Sequence, residues 1–378
     1  MLIAIFACSP GTIDTLPSAE AEDPYIELQE QGIDRYLGAV APSEDWIDDV
    51  GDINYAFDPA DGPACMRGET FHTMVRDRGS EDLVIFLQGG GLCYSEQCIA
   101  ISSAPPGIPM IDIARGDLEA NPVKDWNVTY VPYCDGSLFG GDVDIDDDGD
   151  GGIDRYHRGV HNLSAALGVA QSNFPSPRRI LLAGSSGGGY GTLPGAVLAR
   201  LTWPGVPLYV FNDAGVGLGR DQEPDFIWKI IDEFQAEGFV PESSASILDQ
   251  GHLTPLIGWQ LQQDPLLKVA AYSADADYVI SQIYLNVPGD AFSDWLDEQL
   301  GLVHDQHPER FQSFITDGVS HTTLLGDPSG FMNGDEATMA LIASMLGGME
   351  ETSIDGVTIA AWMDEMLSDS PDWSSLKD

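Results

Sequence analysis

Gly184-Ser185-Ser186-Gly187-Gly188 fits the pattern G-x-S-x-G. A serine so placed serves as a nucleophile when a sharp strand-to-helix turn lifts its oxygen above the end of a sheet. Glycines are needed there because the turn crowds its neighbours against the backbone. Ser185 stands one residue out of register and is the rival hydroxyl. A serine nucleophile needs a base, and the base needs an acid to orient it. With this kind of elbow the chain order is serine, acid, histidine. Beyond the fifth candidate strand, at Leu267 to Tyr272, stand His304, His307 and His321. His304 and His307 lie in a polar stretch that reads as solvated surface. His321 follows an apolar strand through Asp317-Gly318-Val319-Ser320, so it is the expected base. Asp277 is the preferred acid and Asp275 the alternative, both just past a strand end. Asp213, after the preceding strand, reads as a structural turn residue. Gln88-Gly89-Gly90-Gly91-Leu92 ends an earlier strand, and glycines there let amides approach a developing oxyanion. Gly91, Leu92 and Gly187 are the expected donors.

These groups need a scaffold that brings them to one edge. Short apolar runs at 82–87, 128–132, 179–183, 207–211, 267–272 and 311–316 suit strands buried on both faces, and Phe71 to Val75 suits another. Helical spacing covers about His157 to Ser172 and Tyr190 to Leu201. The alternation predicts an α/β fold: a mostly parallel sheet with helices on both faces. Residues 24–378 are expected to form one catalytic domain. Residues 24–80 form its lead-in, and 221–262, long for a simple connection, form a cap-like insertion.

The 378 residues carry 16 Lys+Arg against 61 Asp+Glu, a net charge of −45. A phosphate backbone needs a basic face, so nucleic acid is excluded as a partner. Polyanionic substrates are repelled unless cations intervene. No segment has the apolar run of about 18 residues that a spanning helix needs. Leu2 to Ala7 is a short apolar run, and Ile5-Phe6-Ala7-Cys8 resembles a bacterial lipobox. This predicts a secreted or surface-anchored protein, lipidated at Cys8 or released after a plain signal. Residues 9–23 read as a flexible tether. Cys65, Cys93, Cys98 and Cys134 remain, enough for two disulfides with three connectivities.

Several segments together resemble the pectin acetylesterase/Notum family of carboxylesterases. They are Leu87 to Cys93, Asn121-Pro122 through Asn127, Tyr133-Cys134-Asp135-Gly136-Ser137, the elbow, Asp213-Ala214-Gly215, and Asp317 to His321. The likeness runs from about Cys65 to about His321 in family order. Leu92 stands where the family usually has Trp, and Gly187 where it usually has Ala. The resemblance implies an α/β-hydrolase fold, a Ser186/Asp277/His321 triad, disulfides Cys93–Cys98 and Cys65–Cys134, and no catalytic cofactor. The implied reaction is hydrolysis of O-acyl esters, with O-acetyl groups on a small molecule or polysaccharide as first expectation and longer acyl chains or polyesters as the alternative. A binding protein with lost catalysis is the rival of another class.

Asp144-Ile145-Asp146-Asp147-Asp148-Gly149 matches D-x-D-x-D-G inside an acidic insertion at 142–154. Such spacing sets carboxylates around a hard cation. Asp144, Asp146, Asp148 and Asp150 are the expected ligands of a structural Ca²⁺. Arg155 stands where an EF-hand has its bidentate Glu.

Overall fold

A computed structural model describes residues 24–326 and 345–378. The candidate lipid-anchor residue Cys8 and the tether at 9–23 lie outside the described residues. After a short helix α1 (Ile26–Glu30) come three strands that pair antiparallel: β1 (Glu44–Ile47), β2 (Ile53–Phe57) and β3 (Phe71–Arg76). Then follow β4 (Asp82–Leu87), the hairpin β5 (Gly91–Tyr94) and β6 (Gln97–Ala100), β7 (Asn127–Val131), and a second hairpin, β8 (Val143–Ile145) and β9 (Arg155–His157). Helix α2 (Gly159–Asn173) leads to β10 (Arg179–Ser185), α3 (Gly187–Thr202) and β11 (Leu208–Asp213). Helices α4 (Pro224–Phe234) and α5 (Pro255–Gln263) precede β12 (Leu267–Ala274), and α6 (Gly289–Gln306) precedes β13 (Phe311–Thr316). A small hairpin, β14 (Ser353–Ile354) and β15 (Val357–Thr358), a helix at Ile359–Leu367 and the strand β16 (Leu376–Lys377) complete the chain.

Ten strands form one sheet in the order β1-β2-β3-β7-β4-β10-β11-β12-β13-β16. From β7 to β16 every neighbouring pair is parallel. This is the mostly parallel, α/β-hydrolase-like sheet that the alternation of elements predicts. Successive residues of each strand feed opposite faces. Leu83, Ile85 and Leu87 of β4, with Ile180 and Leu182 of β10, pack into a core with α2, α3, α5 and α6. Val84, Phe86, Leu181 and Ala183 pack on the other face against Trp362 and Met363 of the 359–367 helix. Helices therefore cover both faces.

The starts of α2 and β11 differ from expectation for local reasons. His157 ends β9, so α2 starts two residues later. Pro207 has no N–H for the ladder, so β11 starts at Leu208, although the Pro207 carbonyl still accepts from Ile180 at 3.0 Å. The edge strand β1 leaves little apolar signal in the sequence because it is largely exposed and carries Glu44 and Asp45. The disulfides pair Cys65 with Cys134 and Cys93 with Cys98, the latter across the β5–β6 hairpin.

Candidate active site

The parallel strands end along one edge, and the chemistry gathers there. At the end of β10, Ser186 has φ 56° and ψ −120°, a conformation a side chain adopts only under strain. The surroundings enforce it. The Ser186 N–H donates to the Asp213 carbonyl at 2.7 Å. A Cβ on Gly184 would stand 2.1 Å from the Gly188 oxygen, and one on Gly188 would stand 2.1 Å from the Leu87 oxygen. Neither position accepts a side chain, so strand, elbow and glycine loop can approach to backbone contact. Ser185 is settled differently: it is wholly buried, and its hydroxyl donates to Asp213 Oδ2 at 2.6 Å. Ser186 is half-buried and lines the cleft.

His321 lies in the loop after β13 and is buried. Its Nδ1 meets Asp277 Oδ2 at 2.7 Å. The other Asp277 oxygen accepts the amides of Val279 at 2.9 Å and Ile280 at 3.1 Å, which fixes the carboxylate. An ionised Asp277 only accepts, so Nδ1 carries the ring proton and Nε2 offers a lone pair. That Nε2 is buried and has no partner among the described residues. Asp275 faces away, accepting the Gly318 amide at 2.9 Å. Asp213 is a strut. Besides Ser185 it accepts the Thr323 and Leu324 amides and the Thr323 hydroxyl at 2.9–3.1 Å, tying the serine turn to the residues just past His321. Burial pushes the Asp213 carboxyl up, against the pull of these donors. His304 and His307 are half-buried at the end of α6, and each ring bonds a carbonyl, of Phe311 and Gly258 respectively.

The glycine loop brings its amides to the start of α3. An added Cβ on Gly187 would lie 3.5 Å from the nitrogens of both Gly90 and Gly91. The Gly90 and Gly187 amides find no acceptor among the described residues, and the positive end of the α3 dipole adds to them. Leu92 departs from expectation. Its amide lies against the Tyr284 phenol, whose pKa burial pushes up to about 12 against the effect of that N–H. The cause is the β5–β6 hairpin, which carries Leu92 past the loop, so Gly90 rather than Leu92 adjoins Gly187. The Leu92 side chain instead packs with Tyr94, Ile230 and Phe234.

Beside Ser186 opens a narrow cavity of about 50 Å³. Its wall is almost wholly apolar: Leu138, Leu218, Leu253 and Ile280 meet Phe226, Ile227, Ile230 and Ile231 of α4. Residues 221–262 thus supply much of the wall. None of these side chains stands out in the sequence, because an amphipathic helix reads the same whether it faces a core or a cleft.

Residues 58–222 match the family model described as Pectinacetylesterase. Palmitoleoyl-protein carboxylesterase notum2 of Xenopus laevis is 28% identical over 143 residues, a stretch covering 34% of this chain and 28% of that protein. Over this stretch the chain is similar to the pectin acetylesterase/Notum family, and it spans less than a third of the length of that curated relative. The family model takes in the glycine loop, the elbow and Asp213, but stops short of Asp277 and His321. Those two residues rest on geometry alone.

The β8–β9 hairpin carries a second cluster of carboxylates. Carboxylate oxygens of Asp146, Asp148 and Asp154 lie within 4.8 Å of one another, an all-oxygen set that fits a hard cation. This differs from the expected ligand set. Asp144 is turned away into an ion pair with Arg158 at 2.6 Å, and Asp150 accepts the Gly152 amide at 2.7 Å. Asp154 replaces them because β9 folds back beside β8, which a linear motif does not show.

Proposed function

We propose that this protein is a secreted serine carboxylesterase working through Ser186, His321 and Asp277. His321 Nε2 takes the Ser186 proton as the serine oxygen bonds to the ester carbonyl carbon. The carbonyl oxygen becomes an oxyanion facing the amides of Gly90, Gly91 and Gly187. Collapse breaks the bond to the alkoxy oxygen, which leaves as an alcohol with the proton from His321. Water then attacks the acyl-serine, gives a proton to His321, and the acid departs as Ser186 regains its hydrogen. The observation that carries this reading is the buried His321, held by Asp277 with Nε2 unpartnered, on the same sheet edge as a strained serine.

The apolar cavity favours an acyl chain longer than acetyl. A methyl group has no need of a wall of leucines and isoleucines, whereas each buried methylene contributes about 0.8 kcal/mol. The related notum2 is named for a palmitoleoyl ester. A polysaccharide O-acetyl ester stays the second reading, supported by the match to the pectinacetylesterase model. Secretion, with or without a lipid at Cys8, agrees with two disulfides; no helix among the described residues is long and apolar enough to cross a membrane.

The test is a panel of p-nitrophenyl esters from acetate to laurate. Ser186→Ala should cut kcat by about 10⁴-fold or more with the fold intact. Near wild-type turnover in that variant ends the esterase reading. A kcat/KM that falls steadily from acetate onward ends the long-chain preference alone.

A further inference from the structure

We propose that Arg155 is a positioning residue for the acyl cavity, through which the acidic hairpin sets the length of acyl chain accepted. The proposal rests on the esterase reading above. Helix α4 lies in the long connection between β11 and β12. Its residues Phe226, Ile227, Ile230 and Ile231 border open cavity on one side, so something must hold it from the other.

That side is gripped by the β8–β9 hairpin. Arg155 is almost fully buried. Its Nε and Nη2 bind Asp147 at 2.8 and 2.6 Å, and its Nη1 reaches both Glu233 of α4 and His157 Nε2 at 3.1 Å. His157 is matched to this. Its Nδ1 lies 2.8 Å from the Asp135 carbonyl, where it donates, so Nε2 is left to accept from the guanidinium. The His157 ring also packs on Phe234 at 4.9 Å, and the Asp142 amide donates to the Phe234 carbonyl at 2.9 Å. The remaining ion pair on α4, Lys229 with Glu96, is largely exposed and holds weakly. Four of the five guanidinium donors are thus accounted for on three partners, which a lysine cannot reproduce.

Removing the guanidinium leaves Glu233, mostly buried on α4, without its hydrogen-bonded counter-charge, and a carboxylate so placed seeks water. The helix then shifts and the Ile230–Ile231 wall shifts with it. Neither Arg155 nor Glu233 lines the cavity, so the reacting atoms are untouched. A short acyl group does not feel the change; a long one does.

The experiment compares p-nitrophenyl acetate and p-nitrophenyl octanoate on the whole protein, as wild type, Arg155→Met, Arg155→Lys and Glu233→Ala. In Arg155→Met the octanoate/acetate ratio of kcat/KM should fall about tenfold, through KM, with acetate kcat within about twofold. Arg155→Lys should recover part of the ratio, and Glu233→Ala should lower it in the same direction. If Arg155→Met does not fold, Glu233→Ala, which leaves Arg155 paired with Asp147, carries the test. An unchanged ratio in folded variants, or equal losses on both esters, overturns the proposal. Wild-type protein inert towards both esters removes the esterase reading, and this proposal with it.

Discussion

The sheet edge and the α4 wall meet at one cleft but are held by different forces. At the edge, Ser186 and its neighbours are fixed chiefly by backbone: a parallel ladder behind them and the Gly184 and Gly188 contacts with no room for a Cβ, with the Asp213 carboxylate as an added strut. At the wall, α4 is fixed by side chains, chiefly a buried guanidinium shared among Asp147, Glu233 and His157. Backbone contacts of this kind have no graded alternatives, whereas a side-chain hub can be loosened one partner at a time. A protein so divided can keep its chemistry constant while its acyl selectivity drifts.

The sharpest way to break the comparison is at the edge itself. Asp277→Asn places an amide where His321 needs an acceptor and favours the wrong ring tautomer, so kcat should drop by about 10³–10⁴-fold. Asp275→Asn keeps an oxygen for the Gly318 amide and should leave kcat within about threefold. Ester kinetics on both variants checks this. Equal losses would mean that the two carboxylates act as a pair, and the division between Asp277 and Asp275 would fail.

That pair also marks how far the sequence could be read. The elbow was legible because its glycines answer a steric demand that leaves a mark in the chain itself. His321 was legible from its place after an apolar strand. The choice between Asp275 and Asp277 was not, since both follow the same strand end and only the turn's three-dimensional path decides which faces the ring. Asp213 reads as a turn residue in sequence, yet its reach to Thr323 spans a sequence gap that no local pattern encodes. Arg155 was visible only as the residue that spoils an EF-hand pattern. Its partners lie on another element, so its role had no linear signature.

At the wall, a smaller effect should appear with pH. Burial, with the Arg155 charge adding to it against the pull of the Asp135 carbonyl, lowers His157 to about 4. The unfolded chain protonates its histidine near 6.5, so between those values the unfolded state binds more protons. Stability from His157 is therefore complete above pH about 6.5 and is lost as pH falls towards 4, by roughly 3 kcal/mol in all. Protonation of the acidic surface relieves self-repulsion over part of the same range and acts with opposite sign. The informative quantity is thus the difference between wild type and His157→Gln. Thermal melts from pH 7 to 4 should show a Tm loss in wild type that is larger, by a few degrees, than in the variant. Parallel curves would mean that His157 does not stay neutral in the folded protein.

The smallest expected effect separates the wall's hairpin from its own linear motif. If Asp146, Asp148 and Asp154 hold a structural Ca²⁺, binding to the folded chain alone stabilises it by mass action. With an affinity in the millimolar to tenth-millimolar range, as exported modules show, a tenfold excess of calcium contributes about 1.4 kcal/mol. In a chain of this size that raises Tm by only about 2 °C. Chelation should reverse it. Asp154→Asn should abolish the response, whereas Asp150→Asn, which alters a residue bonded to the Gly152 amide, should preserve it. The opposite pattern would return the ligand set to the consecutive aspartates of the motif. A Tm indifferent to calcium in wild type would leave these carboxylates as solvated charge, with Arg155, His157 and the Asp142 amide still tying the hairpin to α4.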